Sequence, residues 1–186
     1  MRKTGHVPDV ITFAGNGEPT MHPQFEEIIR DTIRLRNKLC PTAGIAVLCN
    51  STLIHKKKVA QALAMVDQNI LKLDTISNRT FNILNKPAPG IKLEKIISSL
   101  ISFKGRVIIQ TMFVRGKYKN QVVDNSTNEE IEGLIDAYRK IRPESIMIYT
   151  YERDTAAEGL EKLSFKELDL IAERIRKEGF KVEVSA

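Results

Sequence analysis

Glu18 lies in the run Gly15-Asn16-Gly17-Glu18-Pro19, between an apolar segment, "VITFAG" (10–15), and a segment of helical period. Glycines allow the chain to turn sharply and leave backbone carbonyls exposed beside the carboxylate. A carboxylate among carbonyls suits a cation, such as an ammonium group. A Gly-x-Gly after a strand first raises the dinucleotide fingerprint, but that pattern needs a third glycine where this chain has Thr20. Glu18 would also put a negative charge where a pyrophosphate must sit. No Gly-Lys-Ser/Thr follows, so the P-loop fails as well. Two readings remain open on pattern alone. Either Glu18 meets a cationic ligand, or it caps a helix beginning near Pro23 while the glycines serve the turn.

The elements that must position this turn are legible as apolar runs: "VITFAG", "IAVLCN" (45–50), "NILKLD" (69–74), "RVIIQTMFV" (106–114) and "SIMIYTY" (145–151). They are short, rich in Val and Ile and nearly continuous, as strands buried on both faces are in parallel sheets. Helical segments lie between them. Phe25, Ile28, Ile29 and Ile33 give the first helix, starting near Pro23, a buried stripe. Val59, Leu63 and Val66 mark a second, and Leu93, Ile96, Ile97, Leu100 and Ile101 a third. Ser126-x-x-Glu129 and Ser164-x-x-Glu167 both fit the capping box and start the last two helices. Gly179 is the expected stop of the final helix, and the alternating tail "FKVEVS" reads as an edge strand.

Five strand–helix units plus a final strand predict an α/β fold with a parallel sheet. A closed eight-fold barrel needs about 250 residues, so a chain of 186 residues predicts a partial or open barrel or a doubly wound sheet. Either layout puts the ligand site at the C-terminal strand ends. There stand Asn16, Glu18, Asn50, Ser51, Asp74, Gln110, Thr111, Thr150, Glu152 and Arg153. No linker divides the chain, which predicts a single domain over 1–186.

Apolar residues make up 42% of the chain, enough for a core, and no run approaches the roughly 18 apolar residues of a membrane span. The basic N-terminus lacks the apolar segment of a secretory signal, so a cytoplasmic protein with no membrane partner is expected. Two cysteines, Cys40 and Cys49, fit a reduced compartment without disulfides. The net charge of +6 is spread along the chain and reads first as a solvated surface.

"FAGNGEPTMHPQF" resembles the Gly-Gly-Glu-Pro motif of the radical S-adenosylmethionine (SAM) superfamily, which ends the second strand of that barrel; Asn16 stands where the first glycine would be. "VLCNSTLI" resembles the third-strand end, "LKLD" the fourth, "IQTMFV" the fifth and "IYTYERDTAAEGLEKL" the sixth strand with its loop. The whole is most similar to the iron–sulfur oxidoreductase branch related to tRNA wyosine-base enzymes and glycyl-radical activating enzymes. The resemblance implies a partial (β/α) TIM-like barrel of about five βα units plus a C-terminal edge strand. It implies that Asn16, Gly17 and Glu18 bind the methionine amino group of SAM, with Pro19 shaping the turn. Asn50 and Ser51 would border the methionine or substrate, and Asp74, with Lys72, the ribose region. Gln110 to Val114 and Tyr149 to Tyr151 would flank adenosine and substrate. Simpler roles stand beside these: Asp74 could cap a loop, and Gln110 could fill a polar barrel layer.

The resemblance also implies a four-iron four-sulfur cluster held by a Cys-x-x-x-Cys-x-x-Cys after the first barrel strand. In this chain 14 residues precede Gly15 and none is cysteine. Cys40 precedes Pro41 at a helix end, Cys49 ends a strand, and His6, His22 and His55 are scattered, so this chain offers no metal ligands. The expectation is therefore a radical SAM core without its first βα unit: a fragment, a truncated product or one half of a split enzyme. A missing segment or companion chain would carry the cysteines. The complete form would cleave SAM reductively to a 5′-deoxyadenosyl radical and take hydrogen from an unknown substrate; this chain alone is expected to be inactive, with no catalytic residue assigned. The alternative is a non-catalytic binding module on the same scaffold. A third reading is RNA association through "RGKYKNQ" (115–121), expected to form a loop, where Arg115, Lys117 and Lys119 surround Tyr118.

Overall fold

The computed structural model describes residues 7–15, 17–151 and 159–185. They fall into two compact units, Met1–Leu71 and Lys72–Ala186, divided at the end of a strand.

In the first unit, β1 (Val10–Phe13), β2 (Gly44–Cys49) and β3 (Gln68–Lys72) are parallel, with Val10 opposite Gly44 and Ala46 opposite Gln68. Ile45 and Val47 of the central strand are fully buried. Among the described residues β1 pairs only with β2, and Val10 is 42% exposed. The expectation of strands buried on both faces therefore fails for β1, whose residues alternate between exposed and half-buried. A 3-10 turn (Pro19–Met21) follows β1, and α1 (Phe25–Leu39) starts after that turn, near Pro23 as expected. Glu26 and Glu27 occupy its first turn and Arg36 and Lys38 its last, as the helix dipole favours. Phe25 and Ile29 form its buried stripe. It packs on α2 (Lys57–Leu63), which ends before Val66.

The second unit opens with α3 (Asn78–Leu84), capped by Ser77, and α4 (Leu93–Ser102). The run 106–114 is not one strand. It gives β4 (Ile108–Met112), breaks at Phe113 and resumes as β5 (Val114–Tyr118). The break has a tertiary cause: Asn125 donates from Nδ2 to the Met112 carbonyl (2.6 Å) and accepts at Oδ1 from the Val114 N–H (2.8 Å). β5 forms an antiparallel hairpin with β6 (Gln121–Asp124), so the segment expected as a loop at 115–121 is a strand and turn. Then come α5 (Asn128–Ile141), β7 (Ser145–Tyr149), β8 (Leu160–Lys162), α6 (Phe165–Lys177) and β9 (Val182–Ser185). β4, β7 and β9 are parallel, with Ile108 opposite Ser145 and Ile146 opposite Val182. β8 pairs antiparallel with β5, completing a three-stranded sheet that the sequence pattern did not suggest.

The core of this unit is apolar side chains from both layers. Leu100, Ile109, Leu134, Ile141, Ile146, Ile148 and Leu168 are each 1% exposed or less. Along the chain, five parallel strands are each followed by helix and a sixth ends the described residues. This is the expected order.

Candidate functional site

Within the first unit, the turn after β1 and the end of β2 are joined through Glu18. Its Oε1 accepts from the Thr20 N–H (3.1 Å) and the Thr20 hydroxyl (2.6 Å), and its Oε2 accepts from the Asn50 N–H (2.7 Å). Glu18 is thus an N-cap, but of the 3-10 turn that begins at Pro19 rather than of α1. An ionised carboxylate offers about four acceptor positions, and these three bonds leave capacity for a further donor. Glu18 is half-buried, and a Cβ added to Gly17 would meet no atom within 4 Å, so the backbone beside the carboxylate is open.

A chain of weak donors backs this carboxylate. The Thr20 hydroxyl spends its one proton on Glu18, so at 3.9 Å the Cys49 S–H donates to Thr20 Oγ1, and the Ser51 N–H donates to Cys49 Sγ (3.2 Å). Burial, and then the Glu18 charge, push the Cys49 thiol well above its ordinary range and keep it protonated. Asn50 closes a side-chain turn by accepting from the Thr52 N–H (3.0 Å) and hydroxyl (2.7 Å). Ser51 is fully buried in the left-handed region (φ 68°), and its Oγ has no partner among the described residues. A non-glycine residue there is uncommon, and a buried unpaired hydroxyl costs stability. Ser51 directly follows Asn50, whose N–H holds Glu18, so both features stand beside the carboxylate's own anchor. The structure therefore brings Glu18, Asn50 and Ser51 together, with Pro19 opening the 3-10 turn. Asn16 lies outside the described residues, as do Glu152 and Arg153.

The second unit has a separate polar cluster. Asp74, two residues beyond β3, is 2% exposed. Its Oδ2 accepts from Lys72 Nζ (2.8 Å) and Asn85 Nδ2 (2.7 Å), and its Oδ1 from the Met112 N–H (2.9 Å). Lys72 Nζ stands 5.8 Å from the centre of the Tyr149 ring. Burial works against the Lys72 charge, but the Asp74 carboxylate and then Tyr149 outweigh it, so its pKa is raised. Burial raises the Tyr149 phenol, with Lys72 opposing. Gln110 contributes its carbonyl to the Leu73 N–H (3.0 Å), and Thr111 bridges the Leu73 carbonyl (2.8 Å) and the Tyr138 hydroxyl (2.7 Å). Of the residues expected near ribose and adenosine in this unit, Lys72 touches both Asp74 and Tyr149, and the Asp74 carboxylate is committed to protein donors.

Pattern reading missed Thr20, Asn85, Asn125 and Glu130. Glu130, 6% exposed on α5, accepts from the Thr75 hydroxyl (both oxygens, 2.8 Å) and the Ile76 N–H (3.0 Å). The helix comes so close at this point that a Cβ on Gly133 would lie 2.5 Å from Ile76 Cγ1. The only local signal was a dense polar run, "DNSTNEE", which also fits an ordinary helix start.

The described residues do not fit an iron–sulfur cluster. Among the described residues no group of three or more His, Cys, Asp and Glu side chains could hold a metal ion. Both cysteines are buried, Cys40 at the end of α1 and Cys49 at the end of β2. No described helix is long and apolar enough to cross a membrane.

No family model matches the chain. It is similar to the GTPase Obg of Brachyspira hyodysenteriae, 27% identical over 165 residues, covering 87% of this chain and 22% of that protein. It is similar also to a UPF0026 protein of Synechocystis (33% identical; 58% of this chain, 40% of the relative) and to one of Helicobacter pylori (29%; 86% and 49%). The chain thus spans between 22% and 49% of the length of these curated relatives. Three solved structures are similar in fold. A domain of pyruvate-formate lyase-activating enzyme from Bacteroides vulgatus aligns at TM-score 0.68 and 16% identity over 95% of this chain and 98% of its own. Streptococcus suis SuiB bound to S-adenosylmethionine aligns at 0.67 and 17% over 95% and 39%. A radical SAM methyltransferase from Sphaerobacter thermophilus aligns at 0.71 and 17% over 99% and 52%. At these identities the likeness is one of fold, and it bears out in the fold the resemblance carried by the Gly-Glu-Pro turn: the chain has the α/β, partial (β/α)-barrel fold of the radical SAM enzymes.

Proposed function

We propose that this chain is the SAM-contacting portion of a radical SAM iron–sulfur oxidoreductase, whose cluster ligands come from outside these 186 residues. The observation that carries the reading is the half-buried Glu18 carboxylate, fixed by Thr20 and Asn50 with acceptor capacity to spare beside an open glycine backbone. An ammonium is the donor that such a position suits, since hydrogen bonds to charged groups are about twice as strong as neutral ones. In this reading Glu18 and the backbone of Gly17 hold the methionine amino group, and the buried Ser51 backs the Asn50 anchor. When bound, SAM supplies an activated adenosyl carbon on a sulfonium. This chain's own part is to anchor one end of that molecule and fix its direction. The fit to the cluster fails among the described residues, so no redox step is assigned to them. The same failure favours a second reading, a module on this scaffold that binds without catalysing.

Calorimetric titration separates a Glu18-dependent ligand from a general one. SAM should bind weakly, and Glu18→Gln should weaken it about tenfold or more, the value of one charge-assisted bond. 5′-Methylthioadenosine lacks the amino group, so its affinity should not change with that substitution. Equal losses for both molecules, or no loss for SAM, would remove Glu18 from the proposed role.

A further inference from the structure

Four arginines of the second unit form ion pairs: Arg115 with Glu167, Arg139 with Asp136 and Glu178, Arg174 with Glu132, and Arg176 with Asp169. The tip of the β5–β6 hairpin is different. Lys119 and Asn120, both left-handed (φ 46° and 63°), make the two-residue turn that the twist of a hairpin prefers. Tyr118 precedes them. Lys86, also left-handed (φ 42°) and two residues beyond α3, donates from Nζ to the Tyr118 hydroxyl at 2.6 Å and stands 4.2 Å from the ring centre. Lys119 Nζ is 5.7 Å from the same ring centre. The two ammonium groups, brought from separate elements, thus lie within about 10 Å of each other, which is inside the Debye length in 0.1 M salt. Among the described residues no carboxylate forms an ion pair with Lys86, Lys117 or Lys119.

Like charges gathered without a counter-charge raise the local positive potential and attract an anion. The groups on offer are all donors: two remaining N–H bonds on Lys86, three on Lys119 and the Tyr118 O–H. Phosphate oxygens accept from such a set. The tip is exposed at Lys86, Lys119 and Asn120 and encloses nothing, so one small anion would be held loosely. Repeated phosphates on one chain would be held by both lysines together. The turn residues are polar and present no bulky apolar anchor of the kind a bilayer surface takes up. Lys117 lies on the other face of β5, because successive strand residues alternate, so it extends the charge without touching Tyr118.

We infer that the β5–β6 tip, with Lys86, is a binding site for the phosphodiester backbone of single-stranded RNA, independent of the Glu18 turn. Fluorescence anisotropy with a labelled oligouridylate of about 20 nucleotides tests it, since a single strand contributes about 0.7 to the salt slope for each phosphate neutralised. Binding should be seen at about 50 mM salt, and Lys86→Ala with Lys119→Ala should flatten the slope by about 1.4. Tyr118→Phe, which keeps the ring and removes one donor, should weaken binding about two- to tenfold. Lys140→Ala with Lys177→Ala removes the same charge elsewhere and should leave the slope unchanged; circular dichroism confirms that each variant is folded. The inference is overturned by no binding at low salt, or by equal flattening in the two double variants. Tight binding to phosphatidylglycerol vesicles without binding to the oligonucleotide overturns it too.

Discussion

Asp74 shows how one residue type at a strand end can serve either ligand or fold. Its carboxylate is buried and takes three protein donors, and its charged partner, Lys72, has a side chain only 22% exposed. Removing one member of such a pair leaves an uncompensated charge and typically costs about 3–5 kcal/mol. Asp74→Ala should therefore destabilise the fold by that order and lower the urea midpoint, and Asp74→Asn, which keeps acceptor and shape, should do so less. A normal midpoint in Asp74→Ala would show that the carboxylate is not what holds this loop. Glu18 is the opposite case, half-buried with acceptor capacity left. Nothing in the letters separates the two carboxylates. The Gly-Glu-Pro turn marked Glu18, whereas the burial of Asp74 depends on Asn85 and Met112, 11 and 38 residues away.

Helix starts show how much local sequence can say at the scale of the element. The box predicted at Ser164-x-x-Glu167 is present in full. The one predicted at Ser126-x-x-Glu129 is displaced by a residue: Thr127 is the N-cap and bonds the Glu130 N–H, while Ser126 donates to Asp124. Glu130 does not return to its cap, because it is taken up by Thr75 and Ile76. In α6 the Ser164 hydroxyl and N–H, and then Arg115, hold Glu167 down at about 2. A depressed carboxylate adds stability that is complete above its unfolded pKa and is lost as pH falls through the folded value. The contribution of this cap should therefore persist at pH 5 and fade between about pH 4 and 2. Ser164→Ala should cost about 0.5–2 kcal/mol at neutral pH. It should also move the Glu167 carboxyl titration, followed by NMR, back toward the usual range; an unmoved titration would mean Arg115 sets it alone. Amphipathic helices and parallel strands were legible because their signals are local. The β5–β6–β8 sheet was not, because Asn125, reaching back from the far end of the hairpin, makes the break at Phe113.

For the whole molecule, the fold is present while cluster ligands are not found among the described residues. The fold is that of radical SAM enzymes over 95% or more of the chain. Yet the sequence has two cysteines, and both are buried. Anaerobic reconstitution with iron and sulfide should leave this chain with essentially no four-iron cluster, since thiolates are needed to hold one. Stoichiometric iron with a cluster signal by electron paramagnetic resonance would mean that ligands other than those described are in use.

Binding of the ammonium end of SAM at the Glu18 turn, as proposed, can be followed by amide NMR on the isotopically labelled chain during titration with SAM. The Asn50 and Thr20 amides donate to the Glu18 carboxylate, and the Ser51 amide lies behind it. A cation arriving at Glu18 should draw charge away from those bonds, so the Thr20, Asn50 and Ser51 amides should shift together and saturably. The same titration on Glu18→Gln should leave them still. Saturable shifts confined to other residues, with Thr20 and Asn50 unmoved, would mean that SAM binds elsewhere and not at Glu18.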